Sequence, residues 1–561
     1  MTDPTFSFDG REIPIRPGQS VAAALTSAGE RAFRQTAKGA QRGLFCGMGV
    51  CQDCLVTVDG IPNQRACMTK AAAGLRVATQ EAFPQLDPSA APPESVPART
   101  ARPDVLIIGA GAAGLSAAIA ARRAGAEVLV LDERKVSGGQ YYKQAAMGAP
   151  MDAQQAEGAA LLRAAEESGA EILGGVEIWG AFDGPLLMAE VAGAALIARP
   201  RTLIVATGAY ERPCLVPGWT LPGVMTTGAA QTLWRSYRTL PGQRVVMCGS
   251  GPLNLQVALE LAKGGADLRL VAEAAPSPFR HPVAALRMAL ADPALTWKGL
   301  SMLRALRARG VPIRNACDLR EIRASKGGLV ATFARRGEIL EDIETDVVCM
   351  NAGFEPQNEV LRLLGAAMTY DPAFGHLRCT RNDRMETTVP AVFAVGDCAG
   401  LGGAPAARVE GRIAGRAAAA LAGYGDAYDL FAEHKELRRH RRFQDALWHV
   451  HDVRPKSLTA ADPRTILCRC EEITLGQALT GYAENPGHVG TLKRGTRVGM
   501  GRCQGRYCGP MAARLVAEQK GAPLSDRSFF APRVPIKPVS IAAILAAQEA
   551  QEAQGTLDAA E

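Results

Sequence analysis

Two groups of closely spaced cysteines are the residues best suited to chemistry in this chain. Successive cysteines in the first group are separated by four, two and twelve residues, and in the second by one, thirty-two and four residues. The first spacing is that of a plant-type [2Fe–2S] site. Four thiolates also bind zinc, which is the alternative at both places. The predicted metal ligands are Cys46, Cys51, Cys54, Cys67, Cys468, Cys470, Cys503 and Cys508.

A glycine-rich turn follows the apolar segment DVLII, which begins at Asp104, and opens a predicted helix. Gly109, Gly111 and Gly114 form a G-x-G-x-x-G pattern, which lets a pyrophosphate approach the helix N-terminus. Asp132 ends the next predicted strand and is the expected acceptor for a ribose hydroxyl. This order of strand, glycine turn, helix and acid predicts a dinucleotide site. The predicted contacts here are Gly109, Gly111, Ala113, Gly114, Asp132 and Glu133.

A second turn of this kind lies between Arg244 and Glu273, but Asn254 replaces its third glycine. We expect Asn254 to hold the helix further from the strand, while the phosphate turn itself is preserved. Three states stay open for this lobe: a bound adenine nucleotide (NAD or ATP), hydride donation by a nicotinamide, and a vestigial scaffold. The predicted contacts are Gly249, Gly251, Pro252, Leu253 and Glu273.

The elements that must position these residues are two β-α-β units, which predict a parallel α/β core in two lobes. Segments joined by Asp-Gly pairs near the start predict a small β-rich unit. The chain has 561 residues and a net charge of +7, with its cations scattered, so a nucleic-acid surface is not expected. No apolar run is long enough to span a membrane, and no signal segment is apparent, so a cytoplasmic location is expected, with peripheral contact with an inner membrane left open.

The fourteen cysteines favour metal or redox chemistry over structural disulfides. Cys214 and Cys248 are treated as isolated thiols, so reduction of disulfides is not expected. The remaining cysteines outside the two groups are expected to be small core or loop residues.

Several short segments resemble the signatures of flavoproteins with two dinucleotide-binding domains. They are GGQ near Gly139, ATG at Ala206 and GD at Gly396, and the resemblance covers about residues 104–420. It implies bound FAD, with the aspartate of GD on the ribityl chain. The further contacts it implies are Gly139, Gln140, Val176, Ala206, Thr207, Gly208, Gly396 and Asp397.

The C-terminal segment LKRGTRVGMGRCQGRYCGP resembles the bacterioferritin-associated ferredoxin domain, which implies a second [2Fe–2S] cluster. Its cations would favour a reduced cluster and raise its potential. A solvated basic face, or a site for a phosphate such as that of FMN, are the alternatives. These cations are Lys493, Arg494, Arg497, Arg502 and Arg506.

The order of these parts resembles the α subunits of hetero-oligomeric amine and amino-acid dehydrogenases, including opine oxidases, hydrogen cyanide synthase, proline and hydroxyproline dehydrogenases and sarcosine oxidase. The resemblance implies a separate FAD-containing β subunit that oxidises the substrate, a small additional subunit in some members, FMN at the subunit interface and a downstream electron acceptor. No catalytic residue is assigned in this chain, and His449 and His451 are expected at a surface or interface. Two one-electron sites beside a two-electron flavin suit an electron relay. A free-standing NAD(P)H:acceptor oxidoreductase and an iron–sulfur redox sensor are the alternatives.

The predicted fold class is therefore α/β: a flavoprotein with two dinucleotide-binding domains, an N-terminal β-grasp-type [2Fe–2S] domain and a C-terminal bacterioferritin-associated-ferredoxin-like [2Fe–2S] domain. The predicted boundaries are a ferredoxin-like domain at 1–82, a linker at 83–103, an FAD-binding domain at 104–225 and 350–425, a nucleotide-binding lobe at 226–349, a helical linker at 426–463, the C-terminal cluster domain at 464–525 and a tail at 526–561.

Overall fold

A computed structural model describes residues 4–85, 96–335, 337–427, 429–453 and 457–558. The N-terminal unit is a five-stranded sheet with the order β2-β1-β7-β5-β6, packed on one helix. Both Asp-Gly pairs predicted to be turns have positive φ at each residue, as tight hairpins require (47° and 81° at Asp9 and Gly10). Its elements are β1 (Thr5–Phe8), β2 (Arg11–Pro14), α1 (Val21–Ser27), β3 (Arg34–Gln35), β4 (Gln41–Arg42), β5 (Leu55–Val58), β6 (Ile61–Arg65) and β7 (Arg76–Thr79).

The next unit contains the first β-α-β motif and a four-stranded antiparallel-rich sheet beside it. Its central strands are buried at every position, as expected for a parallel sheet covered on both faces. One strand, at Arg99–Ala101, lies inside the predicted linker, so the linker ends earlier than expected. The elements are β8 (Arg99–Ala101), β9 (Val105–Ile108), α2 (Ala112–Arg123), β10 (Val128–Asp132), α3 (Gly139–Tyr142), α4 (Ala153–Glu167), β11 (Glu171–Gly174), β12 (Val176–Phe182), β13 (Leu186–Val191), β14 (Ala194–Ala198), β15 (Thr202–Val205) and β16 (Ala209–Glu211).

The second lobe follows. Its parallel sheet has the order β17-β24-β18-β19-β20, and a three-stranded sheet β21-β22-β23 covers one side. Its strands β17 and β24 cross the predicted boundaries at 225/226 and 349/350, so the lobe is slightly longer than predicted. The elements are β17 (Val224–Thr226), α5 (Thr227–Tyr237), β18 (Arg244–Gly249), α6 (Pro252–Lys263), β19 (Asp267–Glu273), α7 (Pro282–Ala291), α8 (Pro293–Ala308), β20 (Ile313–Asn315), β21 (Asp318–Ser325), β22 (Gly328–Arg335), β23 (Glu338–Thr345) and β24 (Val347–Asn351).

The chain then returns to the first sheet, which β28 completes in the order β11-β10-β9-β15-β28. The helix after it crosses α2 closely: a Cβ at Gly411 would lie 2.2 Å from the Ala113 carbonyl oxygen. Only glycine permits that approach. The elements are β25 (Phe354–Pro356), α9 (Glu359–Leu363), β26 (Met368–Asp371), β27 (His376–Cys379), β28 (Val392–Ala394), α10 (Gly403–Leu421) and α11 (Phe431–Val450).

The last unit is small and mostly helical. The predicted tail does not stand apart, because alanines of its helix pack on the β12–β14 sheet. No helix among the described residues is both long and apolar enough to cross a bilayer. The elements are β29 (Ile466–Cys468), β30 (Ile473–Thr474), α12 (Leu475–Glu484), α13 (Val489–Thr496), α14 (Gly509–Lys520) and α15 (Ile541–Asp558).

One buried arginine forms ion pairs with both lobes. Arg235 on α5 has a fully buried side chain. Its guanidinium donates to Asp152, the N-cap of α4, at 2.8 Å and to Glu260 on α6 at 2.7 Å. Helix α4 of the first lobe and helices α5 and α6 of the second therefore share one cation.

Replacing Arg235 by Met should lower the free energy of unfolding by about 3–5 kcal/mol, because it leaves two partly buried carboxylates without their cation. Chemical denaturation of the two proteins measures this loss. Arg269→Met is the matched control: its pair with Asp267 is exposed, so the loss should stay below about 1 kcal/mol. Equal losses in both variants would contradict this account.

Candidate functional site

The first glycine turn is shaped for close contact with a ligand. Gly109 has φ of +103°, and a Cβ there would lie 2.4 Å from the carbonyl oxygen of Ala206. A Cβ at Gly114 would lie 1.8 Å from the carbonyl oxygen of Gly109. Gly111 is the N-cap of α2 and offers no side chain, so the first N–H groups of the helix face the turn unobstructed. These N–H groups and the helix dipole favour a phosphate.

The other predicted motif segments meet at this turn. A Cβ at Gly139 would lie 2.8 Å from the Cα of Gly111, and one at Gly396 would lie 3.2 Å from the Cβ of Ala113. Ala206 and Thr207 follow β15 directly, and the Thr207 hydroxyl donates to the Gln357 carbonyl. The structure thus brings four separate sequence segments to one place. Gln140 lies in α3, Gly208 ends the ATG segment, and Val176 is the buried first residue of β12.

The acids at the end of β10 face in different directions. Asp132 accepts the backbone N–H groups of Ala110 and Arg134, which ties it to the glycine turn, and burial raises its pKa. Glu133 instead pairs with Arg65 of the N-terminal unit and with Lys537 of the tail. Its carboxylate is therefore committed to a joint between three units, and the predicted cofactor contact of Glu133 stays a prediction.

Asp397 organises the turn before α10. One of its carboxylate oxygens accepts the N–H groups of Gly402 and Gly403, each at 2.9 Å. Burial raises the pKa of this carboxyl. The other oxygen has no protein partner described, so it is free to accept a ligand hydroxyl, which fits the predicted ribityl contact.

The second glycine turn keeps its shape without a third glycine. A Cβ at Gly249 would lie 1.8 Å from the Asn351 carbonyl oxygen, whereas Gly251 faces open space. Asn254 is buried and accepts a hydrogen bond from the Thr227 hydroxyl at 2.7 Å. Its amide also lies within 3.4 Å of the carbonyl oxygens of Cys248 and Asn351. Asn254 therefore replaces glycine packing with hydrogen bonds. Pro252 and Leu253 begin α6, as predicted contacts at its N-terminus.

A histidine from the chain after α11 lies on this second turn. The Nδ1 atom of His451 is 3.3 Å from a Glu273 carboxylate oxygen, and the Ser250 hydroxyl donates to the His451 carbonyl at 3.1 Å. Glu273 also accepts the N–H groups of Gly251 and Ala275. His449 is exposed, as expected of a surface or interface residue. His451 instead packs against Glu273, the acid predicted to bind ribose.

Three members of the first cysteine group lie in the loop between β4 and β5, the fourth, Cys67, follows β6, and all four thiols are buried. The thiols come together two by two, Cys46 with Cys51 and Cys54 with Cys67. The N–H groups of Met48 and Cys51 point at the Cys46 sulfur, at 3.5 and 3.4 Å. Gly47 and Gly49 have positive φ, which lets the loop turn its N–H groups towards sulfur.

The second group shows the same arrangement, with Cys468 beside Cys508 and Cys470 beside Cys503. Across the described residues, no three His, Cys, Asp or Glu side chains converge as they would around a single ion. A [2Fe–2S] cluster takes two thiolates on each of two irons, whereas zinc needs four around one centre. Two pairs of thiols in each group suit the two-iron cluster, and zinc stays the alternative. The eight ligand assignments stay predictions.

Two cysteines outside these groups are not isolated, contrary to the sequence-based expectation. Cys214 packs against the apolar cluster that contains Cys248 and Cys317, and its nearness raises the pKa of the Cys248 thiol. The Cys248 thiol also lies 3.5 Å from the Cys349 carbonyl oxygen. Their proximity arises because the connection after β16 passes over the end of β18, a contact that spacing along the chain does not reveal. Because Cys214 and Cys248 lie close together, the expectation that this chain does not reduce disulfides can no longer rest on their isolation.

An aromatic group, missed from the sequence, joins the flavin motifs to both cysteine loops. Tyr210 follows the ATG segment, and its ring lies 5.4 Å from that of Tyr507, next to Cys508. Tyr507 lies 5.4 Å from Phe45, next to Cys46, and Phe45 lies 5.7 Å from Trp219. The Tyr210 hydroxyl donates to the Arg506 carbonyl at 2.8 Å. The sequence held one signal for this contact: an aromatic residue, Phe45 or Tyr507, stands next to a cysteine in each group.

A buried lysine was also missed. Lys143 follows GGQ by three residues and donates to the Gly228 carbonyl at 2.9 Å and the Thr232 hydroxyl at 3.1 Å. Burial, with a smaller effect of Arg134, lowers its pKa to about 7. Glu211, whose pKa burial raises, accepts the Gly228 N–H group nearby. This polar group lies where the two lobes meet.

The C-terminal cations do not form one patch. Arg506 is buried and pairs with Glu359 at 2.9 Å, and Lys493 lies 5.3 Å from the Phe530 ring. Both line a small cleft that also contains Glu355 and Glu359. Arg362 and Arg533 line it too, so four cations face two acids there, and a phosphate site stays a prediction. The other three cations of this segment, Arg494, Arg497 and Arg502, are exposed.

Family models match three regions of the chain. The model for pyridine nucleotide-disulphide oxidoreductases matches residues 103–420, a 2Fe-2S iron-sulfur cluster binding domain matches 3–82, and the sarcosine oxidase A3 domain matches 464–548. These matches confirm the predicted fold class, bound FAD and a [2Fe–2S] domain. The chain is an FAD- and iron–sulfur-dependent oxidoreductase.

Curated relatives of this chain are subunits of multi-subunit enzymes. An opine oxidase subunit of Rhizobium meliloti (strain 1021) is 34% identical over 454 residues, which cover 79% of this chain and 98% of the relative. Hydrogen cyanide synthase subunit HcnB of Pseudomonas aeruginosa is 29% identical over 463 residues, covering 78% and 97%. Among solved structures, L-proline dehydrogenase from P. horikoshii superposes with a TM-score of 0.73 at 18% identity, over 96% of this chain and 97% of that one. These relatives confirm the predicted resemblance to subunits of oxidases and dehydrogenases of amino-acid-like substrates.

Asp397→Ala should weaken FAD binding about 10- to 100-fold, because a hydrogen bond to a charged group contributes about 1.5–3 kcal/mol. The ratio of FAD to protein after dialysis measures this. Asp383→Ala, an exposed aspartate nearby in the chain, is the control and should retain FAD. Unchanged FAD content in Asp397→Ala would show that this carboxylate does not hold the cofactor.

Cys503→Ser should remove one of two [2Fe–2S] signals in low-temperature electron paramagnetic resonance of the dithionite-reduced protein, because it removes one thiolate of the second group. Cys317→Ser, a buried cysteine outside both groups, should keep both signals. Two unchanged signals in Cys503→Ser would mean that the second group does not bind a cluster.

Proposed function

This chain belongs to the pyridine nucleotide-disulphide oxidoreductase family, and we propose that it is the electron-transfer α subunit of a multi-subunit flavoprotein dehydrogenase. In this proposal a partner β subunit, itself containing FAD, oxidises an amine, amino acid or opine. The α subunit passes the electrons to a downstream acceptor. Relatives named as subunits of opine oxidase and of hydrogen cyanide synthase, matched over almost their whole lengths, support it.

One observation carries the proposal: Tyr210, Tyr507 and Phe45 form a continuous aromatic contact between the ATG segment and both cysteine loops. All three rings are buried. Electron transfer needs short distances between sites. A run of buried rings from the ATG segment to both cysteine loops suits that requirement.

When bound, the flavin exchanges electrons in pairs or singly and the clusters exchange them singly. The residues of the chain hold and shield these groups. The α2 N-terminus and its glycine turn would neutralise the pyrophosphate of FAD, and Asp397 would hold the ribityl chain. The paired cysteines would ligate the irons. Burial of every predicted ligand except Cys470, which is half-buried, keeps water away from them.

We infer a partner surface on the second lobe. None of the described side chains of α7 is buried. Large apolar residues on α7 and α8 are exposed, and exposed apolar patches mark interaction sites. The flanking charges are basic, which suits a partner with an acidic rim. The exposed apolar residues are Val283, Leu286, Leu290, Trp297 and Leu300.

The second candidate function is a free-standing NAD(P)H:acceptor oxidoreductase. The preserved turn at Gly249 and Gly251 favours it. The contact of His451 with Glu273 opposes it, because the acid that would bind the ribose already has a partner. Occupancy of this lobe by NAD or ATP, FMN at the subunit interface and the cytoplasmic location all stay predictions.

Anaerobic stopped-flow mixing of the holo-chain with NADH and with NADPH separates the two functions. The relay subunit should show no fast loss of flavin absorbance with either nucleotide, while dithionite reduces both flavin and clusters. The chain co-purified with its β subunit should then be reduced by an amine, amino acid or opine, whereas the isolated chain should not. Fast reduction of the isolated chain by NADH or NADPH would establish the second function instead.

A further inference from the structure

The two cysteine loops are in direct contact through one arginine. Arg469 lies between Cys468 and Cys470, and its guanidinium carbon is 3.9 Å from the centre of the Phe45 ring. Its Nε atom donates to an Asp53 carboxylate oxygen at 2.7 Å. Phe45 and Asp53 immediately precede Cys46 and Cys54 in the first loop. A residue of the second loop therefore touches the neighbours of two predicted ligands of the first.

Trp219 completes the pocket around Arg469. The guanidinium lies 4.6 Å from the centre of the Trp219 ring and donates to the Trp219 carbonyl at 3.1 Å. The indole N–H of Trp219 donates to the Ile466 carbonyl at 2.7 Å, which anchors β29. Arg469 is thus held between two rings and two acceptors. A cation in such a desolvated stack interacts strongly with the ring faces.

The charges around Arg469 do not cancel. Asp53 also accepts Arg34 at 2.6 Å, and Arg42 pairs with Glu472 at 3.0 Å. Burial alone would raise the pKa of Asp53, but Arg469, Arg34 and Arg42 hold it below its ordinary value. Three arginines and two acids, none more than one-tenth exposed, leave one net positive charge between the loops. That charge lies close to both predicted cluster sites.

We propose that Arg469 couples the two cysteine-bound redox sites, so that one electron passes between them directly and not only by way of the flavin. This proposal rests on the proposed function. With clusters held by both groups, the transfer would move one electron, so one site would be oxidised as the other is reduced, and no bond would form or break. Arg469 is a positioning residue in this step. Its charge stabilises the reduced state of both sites, because added negative charge on either site is attracted to it.

The first test uses the unaltered holo-chain and magnetic resonance. When both sites are reduced, their unpaired spins should interact, so the spectrum should differ from the sum of the spectra of Cys503→Ser and Cys54→Ser. Each of these variants keeps one site. A spectrum equal to that sum would overturn direct contact between the sites.

The second test is a potentiometric titration followed by the same signals. At a fixed potential, Arg469→Met should lower the ratio of reduced to oxidised protein at both sites by at least tenfold, which is 59 mV for one electron. Arg469→Lys should recover most of the loss. Asp53→Asn should change the ratio at both sites in the opposite direction, which keeps the test decisive if Arg469→Met does not fold.

Arg464→Met is the matched control, since Arg464 is an exposed cation of the same domain, paired outside the junction with Asp462. It should leave both ratios unchanged. A shift confined to the second site in Arg469→Met, or to the first in Asp53→Asn, would overturn the coupling. If Cys503→Ser instead keeps every signal, the second group is not a cluster site and the proposed relay itself fails.

Discussion

Arg469 carries a full charge in a place that is only 6% exposed, and the joint between the N-terminal and C-terminal units depends on how that charge is satisfied. Removing a charge from water costs several kcal/mol, which only a close counter-ion and further hydrogen bonds offset. Asp53 supplies the counter-ion, and the Trp219 carbonyl and two ring faces supply the remainder. Contact between the two units is what buries Arg469, so a mismatched surface opposite it would leave a buried charge without its counter-ion.

The same principle acts at the other joints. Glu133 brings together Arg65 from the N-terminal unit and Lys537 from the tail, and Arg235 joins the helices of the two lobes. Apolar clusters extend across the joints as well as filling each unit, and buried ion pairs are added to them at these three joints. Such pairs add little net stability compared with apolar packing. An arrangement that separates the partners leaves a buried charge unpaired and is strongly destabilised, so the pairs select one arrangement of the units.

The features with local signals could be predicted from sequence. The turn at Gly109, the acid Asp132 and both cysteine groups have their determinants within a few tens of residues, and each is typical of its structure. The contacts that could not be predicted join distant segments. Asp53 and Arg469 are 416 residues apart, and nothing near either residue specifies the other. The contacts of Cys214 with Cys248 and of His451 with Glu273 likewise depend on how units pack.

The position of Arg469 along the chain also constrains the order of events during biosynthesis. Ribosomes add about 5–20 residues per second, so the first cysteine loop is made roughly 20–80 s before the residue that covers it. During that interval neither Arg469 nor β29, the strand that Trp219 anchors, covers the loop. The loop therefore remains accessible to iron and sulfide donors. Once the C-terminal unit docks, the thiols are enclosed. A cluster held by the first loop would therefore be loaded more easily before the C-terminal unit docks.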